Sequence, residues 1–270
     1  MPDADNTLFD PAAPIYGLIE GAVGHLVLNR VDRRNAMTQA MWARVPPIMA
    51  RLTGETDVRL LVIRSADPAV FSAGADIAEL QALRDDRARR EASFHAIQAA
   101  QRAVRSANKP VLAVIGGPCV GAGCGLALSA DIRLAHRDAR LGITPARLGL
   151  VYPMEDVARL AALVGPARAA DLLYTGRLVA ADDGREMGLV DWVAGGALAP
   201  AMAERIATLT AGSLYSQMAT KRMLRRVEAG ARQDDPETMR WFLDAFDGED
   251  ATEGISAFLD KRAPSFPYRS

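Results

Sequence analysis

Short apolar runs recur along the chain and predict strands at residues 25–30, 60–65 and 110–117. The run at 110–117 is continuous, which is typical of a strand buried on both faces. Residues 131–138 instead alternate, with Ile132 and Leu134 on one side and Arg133 on the other, as in a half-buried strand. Longer stretches with helical spacing separate these runs, so the pattern favours an α/β fold.

Helical spacing is clearest at residues 37–52, 85–106 and from about residue 199 onward. Pro46 and Pro47 fall inside the first of these helices, where we expect a kink or a restart. The strands and their helices define a core over residues 1–198. Residues 199–270 form a helical region that we expect to pack on the core and on neighbouring subunits.

Composition narrows the classes of function. The 270 residues include 32 basic and 33 acidic ones, so the charge gives no support for binding nucleic acid or an anionic membrane. Cys119 and Cys124 have neither metal-ligand spacing nor a disulfide framework around them, and no metal site is expected. The N-terminus, MPDADNTLFD, lacks the pattern of a signal peptide. Residues 110–130 are uncharged and long enough to span a bilayer, but their glycines and central turn favour a buried strand, loop and helix. The expected compartment is the cytoplasm.

Two glycine-containing turns precede predicted helices, Ala73-Gly74-Ala75 and the segment VGAGCGLAL at residues 120–128. Small residues before a helix leave backbone N–H groups free, and two such groups directed at one oxygen form an oxyanion hole. Either turn alone is also explained as a tight turn that needs glycine. A dinucleotide-binding fingerprint is disfavoured, because the glycine spacing differs and no acidic residue follows about twenty positions later.

Taken together, these segments resemble the crotonase family, the enoyl-CoA hydratase/isomerase superfamily, over about residues 26–193. LNRVDRRNAMT is similar to the first coenzyme A loop of the family, and FSAGADI to its first oxyanion segment. PVLAVIGGPCVGAGCGLALSADIRLA resembles the second oxyanion segment, and TGRLVAADDGREMGLVDWV a later helix-turn segment. The resemblance implies a spiral of β-β-α units, an acyl-CoA substrate with no separate cofactor, and a homotrimer or a dimer of trimers.

The same resemblance implies roles for single residues. Ala75 and Ala122 occupy the positions that supply the two oxyanion N–H groups. Residues expected near coenzyme A are Arg33, Arg34, Ala36, Ala73, Asp76, Ile77 and Lys261. A solvated loop is the alternative for the two arginines, and an ordinary surface position is the alternative for the lysine.

The chain departs from the family at the two glutamates with which hydratases add water. Their positions fall on Gly125 and Pro145, neither of which can exchange a proton. The remaining candidates lie in YPMED and are Tyr152, Glu155 and Asp156. Capping of a helix that begins near residue 157 is the alternative for the two acids, and a packed phenol is the alternative for Tyr152.

These departures leave three interpretations open. The leading one is a hydratase/isomerase-like enzyme that stabilises a thioester enolate and moves protons with Tyr152, Glu155 or Asp156. A second is an acyl-CoA decarboxylase assisted by Tyr152, since TPARLGLVY resembles methylmalonyl-CoA decarboxylases in particular. The third is a family member that binds acyl-CoA without turning it over.

Overall fold

A mainly parallel sheet forms the centre of the structure, a computed structural model that describes residues 8–270. Most of the N-terminal segment MPDADNTLFD, for which the absence of a signal peptide was predicted, lies outside the described residues. The strands of the sheet are β1 (Ile15–Glu20), β2 (Val23–Leu28), β3 (Leu60–Ser65), β4 (Val111–Ile115), β6 (Ile132–His136) and β9 (Trp192–Ala194). Within the described part, they lie in the order β1-β2-β3-β4-β6-β9, and only the β1–β2 pair is antiparallel. The predicted α/β fold is confirmed.

Three short strands form a second sheet, and they are β5 (Cys119–Val120), β7 (Arg140–Gly142) and β8 (Val179–Ala180). They lie in the order β5-β7-β8. A single parallel bridge joins Ser72 to Cys119 and so brings the segment after β3 against the segment after β4. This contact places the two glycine-containing turns beside each other.

Helices surround both sheets. They are α1 (Gln39–Gly54), α2 (Ile77–Ala82), α3 (Arg87–Ser106), α4 (Ala122–Leu128), α5 (Met154–Val164), α6 (Pro166–Thr175), α7 (Ala181–Met187), α8 (Leu198–Thr210), α9 (Leu214–Glu228), α10 (Pro236–Asp247) and α11 (Glu249–Leu259). We expected a kink or a restart at the two prolines. Pro46 and Pro47 lie inside an uninterrupted α1, so the helix does not restart there, and the kink stays a prediction. Burial of the neighbouring Trp42, Val45 and Ile48 offsets the backbone hydrogen bonds that the prolines cannot make.

Both faces of the main sheet are covered. Leu61 and Ala113 belong to a core on the face that also contains residues of α1, α3 and α4. Leu60, Val62 and Leu134 face the opposite side, where α8 packs on them through Leu198 and Ile206 among others. The prediction that the run at 110–117 is buried on both faces is therefore confirmed for β4.

The prediction of a half-buried β6 is wrong. Arg133 is only 2% exposed, although the alternation assigned it to a polar face. Its guanidinium lies 2.6 Å from Asp191 and donates a 3.1 Å hydrogen bond to the carbonyl of Ala130. These partners compensate the buried charge, which a pattern of residue types does not reveal.

The C-terminal helices contact the core through buried basic side chains. Lys221 of α9 donates to Asp131 Oδ2 at 2.6 Å and to the carbonyl of Lys109 at 2.9 Å. Arg59, just before β3, donates to the carbonyls of Gly212 at 2.9 Å and of Tyr268 at 3.1 Å. The division of the chain at residue 198 stays a prediction.

Candidate active site

The two glycine-containing turns are hydrogen-bonded to each other. Ser72 N–H donates to the carbonyl of Pro118 at 3.0 Å, and Val120 N–H donates to the carbonyl of Ser72 at 2.9 Å. Gly74 has a φ of +101°, and a Cβ atom there would lie only 2.9 Å from the carbonyl oxygen of Val120. Glycine at position 74 is therefore required both by the backbone conformation and by the close approach of the second turn.

Each turn presents one backbone N–H without a partner. On either side of Ala75, the Met37 N–H donates to the Gly74 carbonyl at 2.7 Å and the Asp76 N–H donates to the Met37 carbonyl at 3.0 Å. Ala122 is the first residue of α4, where helix geometry leaves the N–H free. Neither the N–H of Ala75 nor the N–H of Ala122 donates a hydrogen bond to any described residue. A Cβ atom at Gly74 would lie 3.7 Å from the nitrogen of Ala122, so the two donors are close together.

Asn35 holds the first turn in place, a role that the sequence analysis missed. Its side-chain nitrogen donates to Ser65 Oγ at 2.8 Å and to the carbonyl of Phe71 at 2.9 Å. Ser72 Oγ donates to the Asn35 carbonyl at 2.7 Å and accepts from the Gly74 N–H at 3.2 Å. Asn35 has a φ of +53°, a conformation that asparagine tolerates better than most residues.

A cavity of about 710 Å³ opens beside the two turns, and both turns line it. Its wall is largely apolar and includes Ile77, Leu80, Leu83, Phe94, Ile97, Leu148, Leu150, Val151 and Leu178. Three polar side chains of the lining lie near Gly125, and these are Gln101, Tyr152 and Asp156. The cavity thus combines an apolar volume with a small polar cluster next to the free N–H of Ala122.

The polar cluster surrounds the position where the family resemblance places the first hydratase glutamate. A Cβ atom at Gly125 would lie 2.7 Å from Tyr152 Oη, 2.7 Å from Gln101 Nε2 and 3.3 Å from Asp156 Oδ1. Tyr152 Oη also donates to the carbonyl of Gly121 at 3.0 Å. The space beside Gly125 is therefore filled by these three side chains. Pro145, at the second glutamate position, begins the short 3₁₀ helix Pro145–Leu148 and lines the cavity.

Asp156 is the titratable group of this cluster that changes charge near neutral pH. Its residue is 2% exposed, and burial raises its pKa to about 6, although the positive charge of Arg159 opposes the shift. Burial and the Asp156 carboxylate both raise the pKa of Tyr152 well above its ordinary value. Asp156 can therefore accept or release a proton near neutral pH, whereas Tyr152 stays protonated.

Arg159 and Ser129 connect Asp156 to α4, and the sequence analysis named neither. Arg159 Nη1 lies 3.2 Å from Asp156 Oδ1 and donates to Ser129 Oγ at 2.9 Å. Ser129 Oγ in turn donates to the carbonyl of Gly125 at 2.8 Å. An acid and a base three residues apart on the apolar face of α5, next to Leu160, are the signal that would have indicated a buried pair.

Glu155 lies apart from this cluster. Its carboxylate pairs with Arg102 of α3, and hydrogen bonds from Arg102 lower the pKa of Glu155. Glu155 is not among the residues that line the cavity. Both Glu155 and Asp156 are in the first turn of α5, where negative charge also favours the helix.

The residues expected near coenzyme A lie in two places. Ala73 and Ile77 line the cavity, and the carbonyl of Arg34 accepts from the N–H of Ala73 at 2.9 Å, which puts the Arg33–Arg34 loop next to the first turn. Both arginines are exposed. Lys261 follows α11, is exposed and does not line this cavity.

Asp76 and Ala36 are joined by Arg30. Arg30 Nη1 lies 2.6 Å from Asp76 Oδ2 and donates to the carbonyl of Ala36 at 2.9 Å. Asp76 also accepts from the N–H groups of Ala78 and Glu79 at the start of α2, and the hydrogen bond from Arg30 lowers its pKa. Asp76 therefore links the first turn to the start of α2 and, through Arg30, to Ala36.

Within residues 8–270, no group of three or more His, Cys, Asp or Glu side chains is arranged to hold a metal ion. The helices of this part of the chain include none that is both long and apolar enough to cross a membrane.

The chain is similar to known proteins over most of its length. The family model described as enoyl-CoA hydratase/isomerase matches residues 19–269. A crotonyl-CoA hydratase of Syntrophomonas wolfei is 32% identical, and the aligned region covers 89% of this chain and 93% of that protein.

Solved structures show the same relationship. An enoyl-CoA hydratase/isomerase family protein of Hyphomonas neptunium has a TM-score of 0.91 and 40% identity, with 95% of this chain and 98% of that chain covered. An enoyl-CoA hydratase/carnithine racemase of Magnetospirillum magneticum has a TM-score of 0.90 and 29% identity, with 98% and 99% covered. With nearly the whole length matched in sequence and in fold, this chain belongs to the enoyl-CoA hydratase/isomerase family.

Proposed function

We propose that the chain binds an acyl-CoA thioester and stabilises its enolate between the N–H groups of Ala75 and Ala122. The observation that carries this proposal is the pair of unpartnered N–H groups on two turns that are hydrogen-bonded together beside one cavity. Donors fixed in advance cost no reorganisation when negative charge develops on the thioester oxygen. The largely apolar wall strengthens each hydrogen bond by excluding water.

Asp156 is proposed as the group that moves the proton at the α-carbon of the acyl group. It lines the cavity, and its pKa of about 6 suits exchange at neutral pH. Tyr152, whose O–H donates to the carbonyl of Gly121 in the second turn, would border the acyl group beside Asp156 as a protonated phenol. Hydratase/isomerase-like chemistry thus depends on one carboxylic acid here, in place of the two glutamates of ordinary hydratases.

Coenzyme A itself is proposed to enter past the exposed Arg33 and Arg34, whose positive charges suit its phosphates. Ala36, Ala73, Asp76 and Ile77 would border the path to the cavity. Lys261 would have to contact a phosphate from outside this cavity.

The proposal is tested by deuterium incorporation at the α-carbon of crotonyl-CoA and 3-enoyl-CoA thioesters in deuterium oxide. Ala122→Pro removes one N–H, and proline is tolerated at the first position of a helix. We expect exchange to fall by about 100-fold, the usual cost of losing one oxyanion donor. The matched control Ala122→Gly keeps the N–H and should exchange at nearly the wild-type rate. Equal exchange by both variants would contradict the proposed oxyanion hole.

A decarboxylase is the second candidate, because Tyr152 Oη lies at the turn that would hold the thioester. Loss of CO₂ generates the enolate directly and needs no strong base. Incubation with methylmalonyl-CoA, with Tyr152→Phe as the comparison, measures this activity. If acyl-CoAs raise the melting temperature but no thioester is turned over or exchanged, the chain only binds its ligand.

A further inference from the structure

Arg159 is a buried cation beside Asp156 that the proposed chemistry above has not used. Its side chain is 8% exposed, and it does not line the cavity. Its Nη1 lies 3.2 Å from Asp156 Oδ1, 2.9 Å from Ser129 Oγ and 3.5 Å from Gln101 Oε1. Asp156 is the only carboxylate in the described part of the chain within 4.0 Å of this guanidinium. Buried charges are stable where they are paired, so the two side chains hold each other in place.

The contacts of Arg159 fix Asp156 relative to the helix that carries the second oxyanion donor. Ser129 follows α4, and its hydroxyl accepts from Arg159 while it donates to the carbonyl of Gly125 at 2.8 Å. Asp156 is therefore joined through Arg159 and Ser129 to the backbone of α4, the helix that begins at Ala122. A shift of Arg159 would move the carboxylate relative to an acyl group held at Ala122, and small displacements of a reacting group are costly in rate.

The charge of Arg159 determines how far Asp156 is ionised at neutral pH. Asp156 is 2% exposed, and a carboxyl group buried without a cation can titrate as high as about pH 8–9. Burial is the largest cause of its raised pKa of about 6, and the positive charge of Arg159 is the largest cause that opposes it. The cation therefore favours the carboxylate, the form that can accept a proton.

Other titratable or charged side chains lie around Asp156 and its neighbour Tyr152, and they come from three segments: Tyr152 and Glu155 from its own, Arg102 and Arg105 from α3, and Cys124 from α4. The two arginines of α3 pair with Glu155 and Glu228. The phenol stays protonated, and the charge of Glu155 opposes ionisation of Asp156. Arg159 is therefore the cation that acts on Asp156 at contact distance.

We propose that Arg159 is a positioning residue that keeps Asp156 ionised at the cavity wall and at a fixed distance from the N–H of Ala122. This inference rests on the proposed function of Asp156 as the group that moves the proton.

The test measures the pH at which Asp156 titrates in the folded protein, without using turnover. The free energy of unfolding in urea is measured from pH 4 to 9 for each protein and for the same protein carrying Asp156→Asn. The difference falls with pH until Asp156 is fully ionised in the folded state, so the pH at which it becomes level reports the folded pKa. We expect this pH to be about 6 for wild type and at least about 1 pH unit higher for Arg159→Met, which lacks the cation.

Three further variants separate charge from position. Arg159→Lys keeps the charge, so its levelling pH should stay within about half a pH unit of wild type. Arg102→Met is the matched control, because it removes an exposed arginine of the same helix contact that pairs with Glu155, and it should leave the levelling pH unchanged. Ser129→Ala keeps the cation but breaks the link to α4. It should keep the wild-type levelling pH and lower kcat for exchange of the α-proton by about tenfold, with KM unchanged.

An unchanged levelling pH in Arg159→Met, or an equal rise in Arg102→Met, overturns the inference and leaves the proposed function standing. Ser129→Ala with the wild-type kcat overturns the positioning of the carboxylate through α4. If Arg159→Met does not fold, Arg159→Gln removes the same charge while it retains a hydrogen-bond donor, and its levelling pH decides the question. A wild-type protein that exchanges no thioester proton, although its levelling pH moves as expected in the variants, overturns the proposed function and leaves the effect of Arg159 on Asp156 intact.

Discussion

At the scale of single residues, the close neighbours of Gly125 determine the chemistry that the cavity can support. Gln101 comes from α3, and Tyr152 and Asp156 come from the segment at the start of α5; the three side chains meet at a point where any side chain on residue 125 would begin. Restoring a glutamate at this position would displace the polar cluster. The glycine is therefore part of the site, because its missing side chain makes room for the groups of other residues.

Gly125→Ala should lower turnover by at least about tenfold, since its methyl group would move Tyr152 Oη away from the carbonyl of Gly121. Overpacking should reduce the free energy of unfolding by about 1–3 kcal/mol. Steady-state kinetics and urea unfolding measure the two effects. The control is Gly54→Ala at the end of α1, where an added Cβ meets nothing within 4 Å. Unchanged turnover of Gly125→Ala would show that the tyrosine position is not needed.

Asp156 should make stability depend on pH in a direction opposite to that of most carboxylates. Its pKa is about 6 in the folded chain against an ordinary value of 3.8, so the folded state binds this proton more tightly than the unfolded state does. The free energy of unfolding should therefore fall by about 3 kcal/mol as pH rises from 4 to 6 and stay level above that range.

Asp156→Asn provides the comparison, because asparagine cannot ionise. The difference in unfolding free energy between wild type and variant, measured with urea from pH 4 to 8, isolates this residue from the other titrating groups. A difference that does not change with pH would contradict the raised pKa.

At the scale of secondary-structure elements, α3 and α5 form the wall that carries the polar side chains. The two helices are joined on the outside by Arg102 and Glu155 and on the inside by Gln101 and Arg159. The outer pair is exposed to solvent, where ion pairs contribute little, whereas the inner contacts border the cavity. Two adjacent acids, Glu155 and Asp156, therefore have different environments.

Glu155→Gln should keep turnover within about twofold of wild type, because the exposed pair with Arg102 lies outside the cavity. Asp156→Asn should lower turnover by about 100-fold or more, in line with the loss of a general acid or base. Parallel kinetics on the two variants make the comparison. If Glu155→Gln is the more damaging change, the assignment of the proton-transferring acid to Asp156 is wrong.

Local sequence patterns predict the secondary-structure elements and the two turns, but they do not predict which distant side chains meet in the cavity. The strands, the long α3 and the positions of the two turns follow from apolar periodicity and from glycine placement. The convergence of Gln101 with Gly125 and Asp156 depends on how distant segments pack, which no local pattern specifies. A polar residue on the buried side of α3, between Ala100 and Val104, was the available signal for Gln101.

At the scale of the whole molecule, α10 and α11 expose apolar side chains that a monomer would leave in water. The larger ones are Phe242, Phe246 and Phe258, which are 60%, 65% and 82% exposed. Exposed apolar groups of this size mark contact surfaces. They support the proposal of a homotrimer or a dimer of trimers, with these helices against a neighbouring copy of the chain.

Phe246→Asp combined with Phe258→Asp should dissociate such an assembly, because each charge would be buried in the contact. Sedimentation and light scattering should give three or six chain masses for wild type and one for the variant. Arg240→Asp, a charge change on the same helix, is the control and should leave the mass unchanged. A wild-type protein that sediments as a monomer would contradict the proposed assembly.

The ion pair between Asp131 and Lys221 should couple the local unfolding of α9 to that of α4. Asp131 follows α4, accepts from the N–H of Val111 in β4 at 2.7 Å and receives the ammonium group of Lys221 from α9. Unfolding of α9 would remove the ammonium group of Lys221 from Asp131, which lies just after α4, the helix that begins with Ala122. The amides of α4 should therefore exchange with solvent together with those of α9, as one cooperative unit in hydrogen exchange. The helical region after residue 198 would then stabilise the turn at Ala122, and the core would depend on it for its own stability.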